Sequence, residues 1–257
     1  MSRTDPVFHV GLASSAEDLR AAQRLRYDVF VTELKGGGAM VDHDAGLEID
    51  RFDPFFDHLL LRDLTRPEGA QVIGVYRLMR CDQARRAGQF YSADEYDLTP
   101  LTASGRRLLE LGRSCLHRDY RGGMAMYHLW NALSDYVQAH GTEVLFGVAS
   151  FHGTDPDRLA QPLALLHHNH LAPPDLRVRA HDHCYTAMDR IPPEALDRKA
   201  AVLQVPALIK AYLRLGGHVG DGAFIDRVFN TTDVCLILDT ARMTDRQRRI
   251  YGRDRPA

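Results

Sequence analysis

Cysteine, tryptophan and long apolar runs are what this 257-residue chain has least of. Its four cysteines, Cys81, Cys115, Cys184 and Cys235, are widely spaced and form no Cys-x-x-Cys pair. That spacing excludes a thiol metal clip and a disulfide framework, and it suits reduced thiols in a cytosolic protein. No apolar stretch approaches the roughly 20 residues of a membrane span. The opening MSRTDPVFHVG lacks the apolar core of a secretory signal. A formal charge of −2 argues against a wholesale nucleic-acid binder. No internal repeat or low-complexity segment interrupts the chain. The expectation is a cytoplasmic protein whose contact with any membrane is peripheral, at its inner face.

What is present is an ordinary globular composition, 45% hydrophobic and 26% charged. The length suits one domain over residues 1–240, with 191–240 as its C-terminal extension and 241–257 as a basic tail. Charge is uneven along it. Six acids lie between Asp42 and Asp57 against Arg51 alone, and five arginines lie between Arg106 and Arg121 against Glu110 and Asp119. The tail carries six arginines. It reads either as a ligand for anionic lipid headgroups or as a solvated end.

Periodicity orders the elements. Val7–Leu12 reads as a strand, and Ser14 and Ser15 offer an N-cap to a helix through Leu34 on which Leu19, Ala22, Leu25 or Arg26, Val29 and Phe30 recur. Lys35–Asp50 is a glycine-rich acidic loop. His58–Leu64 and Gln71–Arg80 are consecutive strands, and a short helix is expected near Asp94–Leu98. Arg107–Leu116 is a strand, Gly123–His140 a helix stopped by Gly141, and Glu143–Ser150 a buried strand. A helix opening at Asp155-Pro156 runs to His170, Val178–Met188 is a strand, and Val205–Leu215 is a helix. Glycines 216–222 then turn into strands at Ala223–Phe229 and Val234–Leu238. This order implies an α/β (α+β) fold, a central mixed β-sheet with helices on both faces and a C-terminal β extension.

The most informative stretch is LELGRSCLHRDYRGGMAMYHLW, residues 109–130. It places Glu110 and Arg113 in an apolar strand that ends at a basic Gly-Gly turn before a helix. A glycine turn at a helix N-terminus exposes backbone N–H groups and favours an anion, which points to phosphate held near Arg118, Arg121, Gly122 and Gly123. A buried carboxylate just upstream suggests proton transfer beside a phosphopantetheine thioester. Regular alternation would turn Glu110 and Arg113 to opposite faces, so a β-bulge at Gly112 is expected to re-aim Arg113. A buried Glu–Arg ion pair stitching the sheet is the competing reading.

The strand–RGG–helix element resembles the acyl-donor motif of the GNAT-type N-acyltransferase superfamily, with Met124 and Met126 where that motif carries glycines. LRYDVFVTEL (25–34), IDRFDPFFDHLLL (49–61) and GVYRLMR (74–80) resemble the acyl-homoserine-lactone synthase branch. That branch's recurring positions fall on Arg26, Phe30, Asp50, Asp53, Arg77, Glu110 and Arg113. Its aromatic residue after the first helix is replaced by Lys35-Gly36-Gly37. PALIKAYLRLGGHVGDGAFIDRVFNTTDVCLILDTAR (206–242) is similar instead to the L-ornithine Nα-acyltransferases of bacterial ornithine-lipid synthesis. The resemblance implies transfer of a 3-hydroxyacyl chain from acyl carrier protein to the α-amine of ornithine, giving a lyso-ornithine lipid. It implies Glu110 and Arg113 as catalytic, and Arg26, Phe30, Asp50, Asp53 and Arg77 as substrate-binding. The acyl arm would lie at Arg118, Arg121, Gly122 and Gly123, with no metal and no cofactor beyond the carrier's thioester.

Two other functions fit the same residues: a homoserine-lactone synthase using S-adenosylmethionine, and a non-catalytic module binding acyl thioesters. A histidine group (His167, His168, His170, His181, His183) invites a zinc site, but no standard ligand spacing completes it. Cys115, near Glu110 and His117, reads as a packed thiol rather than a nucleophile.

Overall fold

In a computed structural model, residues 5–244 and 247 are described. Strand β1 (Phe8–Leu12) leads to helix α1 (Ala16–Arg26), whose Ser15 cap accepts the Asp18 N–H. The helix then widens into a π-helical run over Tyr27–Glu33. An acidic loop and a short 3₁₀ turn, Asp53–Phe55, precede β2 (Asp57–Asp63) and β3 (Val72–Arg80). Next come α2 (Cys81–Ala87), a 3₁₀ turn Tyr91–Asp94, β4 (Tyr96–Asp97) and α3 (Thr99–Thr102). Strand β5 (Leu108–Leu116) feeds α4 (Ala125–Ala139), β6 (Val144–His152) and α5 (Ala160–His170). The remainder is β7 (Arg179–Ala180), β8 (Tyr185–Thr186), α6 (Arg198–Gln204), α7 (Ala207–Arg214), β9 (His218–Val219), β10 (Ala223–Asp226) and β11 (Thr231–Asp239).

The chain forms two compact units, and strand β5 is divided between them after Glu110. The first holds residues 1–87 and 111–141. Here β1, β2 and β3 pair antiparallel, Phe8 opposite Asp63 and Asp57 opposite Leu78. Alternation along β2 sends neighbouring leucines to opposite faces. Leu60 joins Val75, Cys115 and the Ala22, Leu25 and Val29 side chains of the first helix. Leu61 meets Leu116 and Leu129 of α4 around Gly74, where an added Cβ would come within 2.7 Å of Leu116 and 2.9 Å of Leu129. Helices thus cover both faces of this part of the sheet. Only glycine allows α4 to approach so closely.

The second unit holds residues 88–110 and the described residues from 142 onward. In it β5 runs parallel to β6 over Leu108–Glu110, whereas β6 and β11 pair antiparallel from Val144–Asp239 to His152–Thr231. Strand β10 bridges β11 and β8, and β9 adds to β11. Parallel and antiparallel ladders therefore coexist, as the sequence implied.

Several local expectations are corrected. Val178–Met188 is not one strand: it is β7 and β8 either side of a turn at His181–Cys184. The helix expected near Asp94–Leu98 is replaced by the 3₁₀ turn and α3, which flank β4. Helix α5 starts at Ala160, after a turn, and the glycine segment 216–222 contains β9. Of the basic tail, Arg242 pairs with Asp175 and Asp239, and the remaining arginines lie outside the described residues.

Candidate active site

The first unit buries an alternating set of guanidinium and carboxylate groups. Arg26 projects from the end of α1, fully buried, and meets Asp53 with two nitrogens at 2.7 and 3.0 Å. It also pairs with the Glu48 carboxylate and donates to the Glu48 carbonyl at 2.6 Å. Arg77, on β3 and equally buried, reaches Asp53 at 2.9 Å and Asp50 at 3.3 Å, with its guanidinium over the Phe56 ring. Arg113 contacts Glu48 and Asp50, each at 3.2 Å. Three arginines thus face three acids.

Burial alone would drive these carboxylates toward their neutral forms, but the neighbouring guanidiniums overcome it. Arg113, Arg26 and Arg77 hold Glu48 below the usual range. Arg77 and Arg113 do so for Asp50, and Arg26 and Arg77 push Asp53 far below it. His58 leans on the Asp53 carbonyl at 3.0 Å, and burial pushes its imidazole down to about 4, so it is neutral near pH 7. Balanced charge is the condition for such a buried set.

The sequence singled out Arg26, Asp50, Asp53, Arg77 and Arg113, and the structure brings all five together. Glu48 and Gln23, whose amide donates to Asp53 at 2.9 Å, complete the set and were not singled out. Phe30 is half-buried, on the π-helical run, packed against the core beneath α1. A widened helix of this kind re-phases side chains and is frequent at functional sites.

Strand β5 leaves regular geometry at Arg113, where φ is 48°. The irregularity falls one residue beyond Gly112. Non-glycine residues rarely adopt that conformation, and here the two carboxylates hold the side chain that requires it.

In the second unit, Glu110 is 1% exposed. Its two oxygens accept the backbone N–H groups of Tyr91 and Ser92 at 2.8 and 2.6 Å. The 3₁₀ turn Tyr91–Asp94 supplies both donors. Ser92 is fully buried, and its hydroxyl has no hydrogen-bond partner among the described residues.

The basic turn belongs to the first unit. Arg121 donates to the Leu116 carbonyl at 3.0 and 3.1 Å and pairs with Glu33 at 2.8 Å, while Arg118 approaches Glu33 at 3.6 Å. Gly122 sits at φ 77°, and α4 begins after Met124 without a side-chain cap. A hollow of about 320 Å³ opens there, lined by Phe8, Asp63, Tyr120, Arg121, Gly123 and Met124. Tyr120 is tied across it to Asp63 at 2.6 Å. Uncapped N–H groups at a helix start favour an anion.

Cys115 is packed in the α1 core, and burial pushes its thiol up to about 12, so it is no nucleophile near neutral pH. His168 and His181 are each within hydrogen-bond distance of a backbone carbonyl, those of Ile191 and Ala93. Among the described residues no group of three His, Cys, Asp or Glu is placed to hold a metal ion.

The similarities of this chain are those of an acyltransferase of the GNAT class. The family described as "Acetyltransferase (GNAT) domain" matches residues 25–131. The solved structure of the acyl-homoserine-lactone synthase LasI is similar in fold, with a TM-score of 0.52 at 14% identity over 98% of this chain and 100% of that one. A relative from Rhodobacter capsulatus named L-ornithine N(alpha)-acyltransferase is 60% identical over 96% of this chain and 95% of its own. One of the same name from Brucella abortus is 46% identical over 95% and 88%. The chain belongs to the L-ornithine Nα-acyltransferase family.

Proposed function

We propose that the protein moves a 3-hydroxyacyl chain from the phosphopantetheine thioester of acyl carrier protein to the α-amine of L-ornithine, giving a lyso-ornithine lipid. The observation that carries this reading is the near full-length similarity to relatives named L-ornithine N(alpha)-acyltransferase. Lys35-Gly36-Gly37, where the lactone synthases carry an aromatic residue, favours it over S-adenosylmethionine as the amine substrate.

In this reaction Glu110 takes a proton from the ornithine α-ammonium, directly or through a water. The neutral amine attacks the thioester carbonyl, the C–N bond forms, and the C–S bond breaks to release the carrier's thiol, which takes up a proton. Backbone N–H groups of the β5 irregularity stabilise the oxyanion. The turn at Arg118, Arg121, Gly122 and Gly123 receives the pantetheine phosphate, and its arginines steer the acidic carrier. No metal and no covalent enzyme intermediate is invoked.

The buried network divides the work. Arg26 and Arg77 share Asp53 as a partner and act by fixing the loop after α1. Asp50 and Arg113, with side chains 8% and 12% exposed, are the members that meet ornithine in this reading. The enzyme acts in the cytoplasm, peripherally at the inner face of the membrane. No described helix is long and apolar enough to cross one.

Lipid mass spectrometry of a host expressing the chain tests the reaction. The expected result is a new hydroxyacyl-ornithine species, absent when Glu110 is replaced by Gln. An acylated homoserine lactone in its place would refute the substrate assignment.

A further inference from the structure

Helix α6 carries a surface that acyl transfer does not use. It turns Ala201 inward, and Val205 just beyond it is also buried. On the other side, residues four apart stack along the helix, Arg198 with Val202 and Lys199 with Leu203. All four are exposed. Leu203, at 72%, is the most exposed large apolar side chain among the described residues, and Val202 beside it is 47% exposed.

Cations surround this pair. Lys210 of α7 donates to the Leu203 carbonyl at 3.3 Å, which brings a third charge to the end of α6. Arg214, exposed, follows one turn later. From Arg198 to Arg214 the chain holds four cations and no acid. The acid just before them, Asp197, is occupied as the cap of α6, accepting the Ala200 N–H at 3.0 Å.

Adjacent aliphatic tips backed by cations that form no ion pair among the described residues match a partner that is charged in its outer layer and apolar beneath. That is the profile of an anionic bilayer, where lysine and arginine meet phosphates while leucine enters the acyl boundary. An acidic protein would answer the cations but needs no protruding aliphatic pair. We propose that α6 and the start of α7 form a docking surface for an anionic lipid bilayer, with Val202 and Leu203 inserting and Arg198, Lys199, Lys210 and Arg214 at headgroup level. That the bilayer receives the product rests on the reaction proposed above; the binding itself does not.

The test is co-sedimentation of the full chain with vesicles of phosphatidylcholine containing phosphatidylglycerol, against phosphatidylcholine alone. Binding is expected only with the anionic lipid, weakened about tenfold by Leu203→Asp and, separately, by Lys199→Glu. Both variants should melt like wild type and keep wild-type acyl transfer in a vesicle-free assay. Failure of the wild type to bind anionic vesicles would overturn the proposal. Wild-type binding by both variants would do the same, placing any lipid contact elsewhere. If Leu203→Asp leaves vesicle binding intact and raises KM for acyl carrier protein, the surface reads an acidic protein and the proposal falls. Absence of acyl transfer in wild type would count against the reaction and leave the vesicle result standing.

Discussion

Replacing Arg26 with Met removes one of the network's three cations while leaving its three acids. Asp53 loses a two-nitrogen partner at 2.7 and 3.0 Å, keeping Arg77 and Gln23, each at 2.9 Å. Glu48 keeps only Arg113 among its cation contacts, at 3.2 Å. Breaking a buried pair from one side costs about 3–5 kcal/mol, a large share of the roughly 5–15 kcal/mol that holds a domain folded. The penalty depends on pH in a defined direction. In the wild type the three carboxylates sit below their ordinary range. Their stabilisation is therefore present above the unfolded value near 4 and drains away as pH falls through the folded values. The variant has less of it to lose, so the two stability curves converge in acid. Urea denaturation followed by circular dichroism, from about pH 7 down to about pH 3, measures both. A loss below about 1 kcal/mol at pH 7, or a gap that stays constant on acidification, would refute the reasoning.

Three further outcomes are expected. Gly222 has φ 74° and an added Cβ would fall 2.1 Å from the Tyr185 ring, so Gly222→Ala should cost about 2–4 kcal/mol in thermal or urea unfolding. Cys115 should resist iodoacetamide in the native protein at about pH 8, because its thiol is held near 12; peptide mass spectrometry reads the result, and rapid labelling would contradict it. Arg118, 64% exposed at its side chain, should on reversal to Glu raise KM for acyl carrier protein about tenfold at low salt. High salt should erase most of that difference, with kcat nearly unchanged.

The long periodic elements were legible because local chemistry decides them. Ser15 caps α1 as its position suggests, Gly141 stops α4 at φ 58°, and the apolar run of β3 lies where alternation and turns put it. Short pieces were not. Residues 178–188 look β-prone, yet a turn at His181–Cys184 divides them, and two-residue strands carry no periodicity to read. The π-helical widening at Tyr27–Glu33 left no composition signal either.

The candidate site shows the same limit. Motif resemblance found Arg26, Asp50, Asp53, Arg77 and Arg113, but not that they answer one another, since their spacing along the chain says nothing about charge pairing. In the sequence the 42–57 stretch is only an excess of acids, whereas in the structure Glu48, Asp50 and Asp53 pair with arginines. Glu48 was visible only as one acid among six. The donors to Glu110 are backbone N–H groups, which no side-chain pattern announces.

The proposed role of Glu110 as the base is tested most directly by turnover of Glu110→Gln with a 3-hydroxyacyl carrier protein and ornithine. Glutamine is nearly isosteric, though its amide cannot accept from both Tyr91 and Ser92 as the carboxylate does, so the melting curve must be recorded alongside. With folding intact, kcat should fall about 10²–10⁴-fold, and raising the pH should recover part of it as free amine accumulates. A folded Glu110→Gln enzyme turning over within about twofold of wild type would contradict the account.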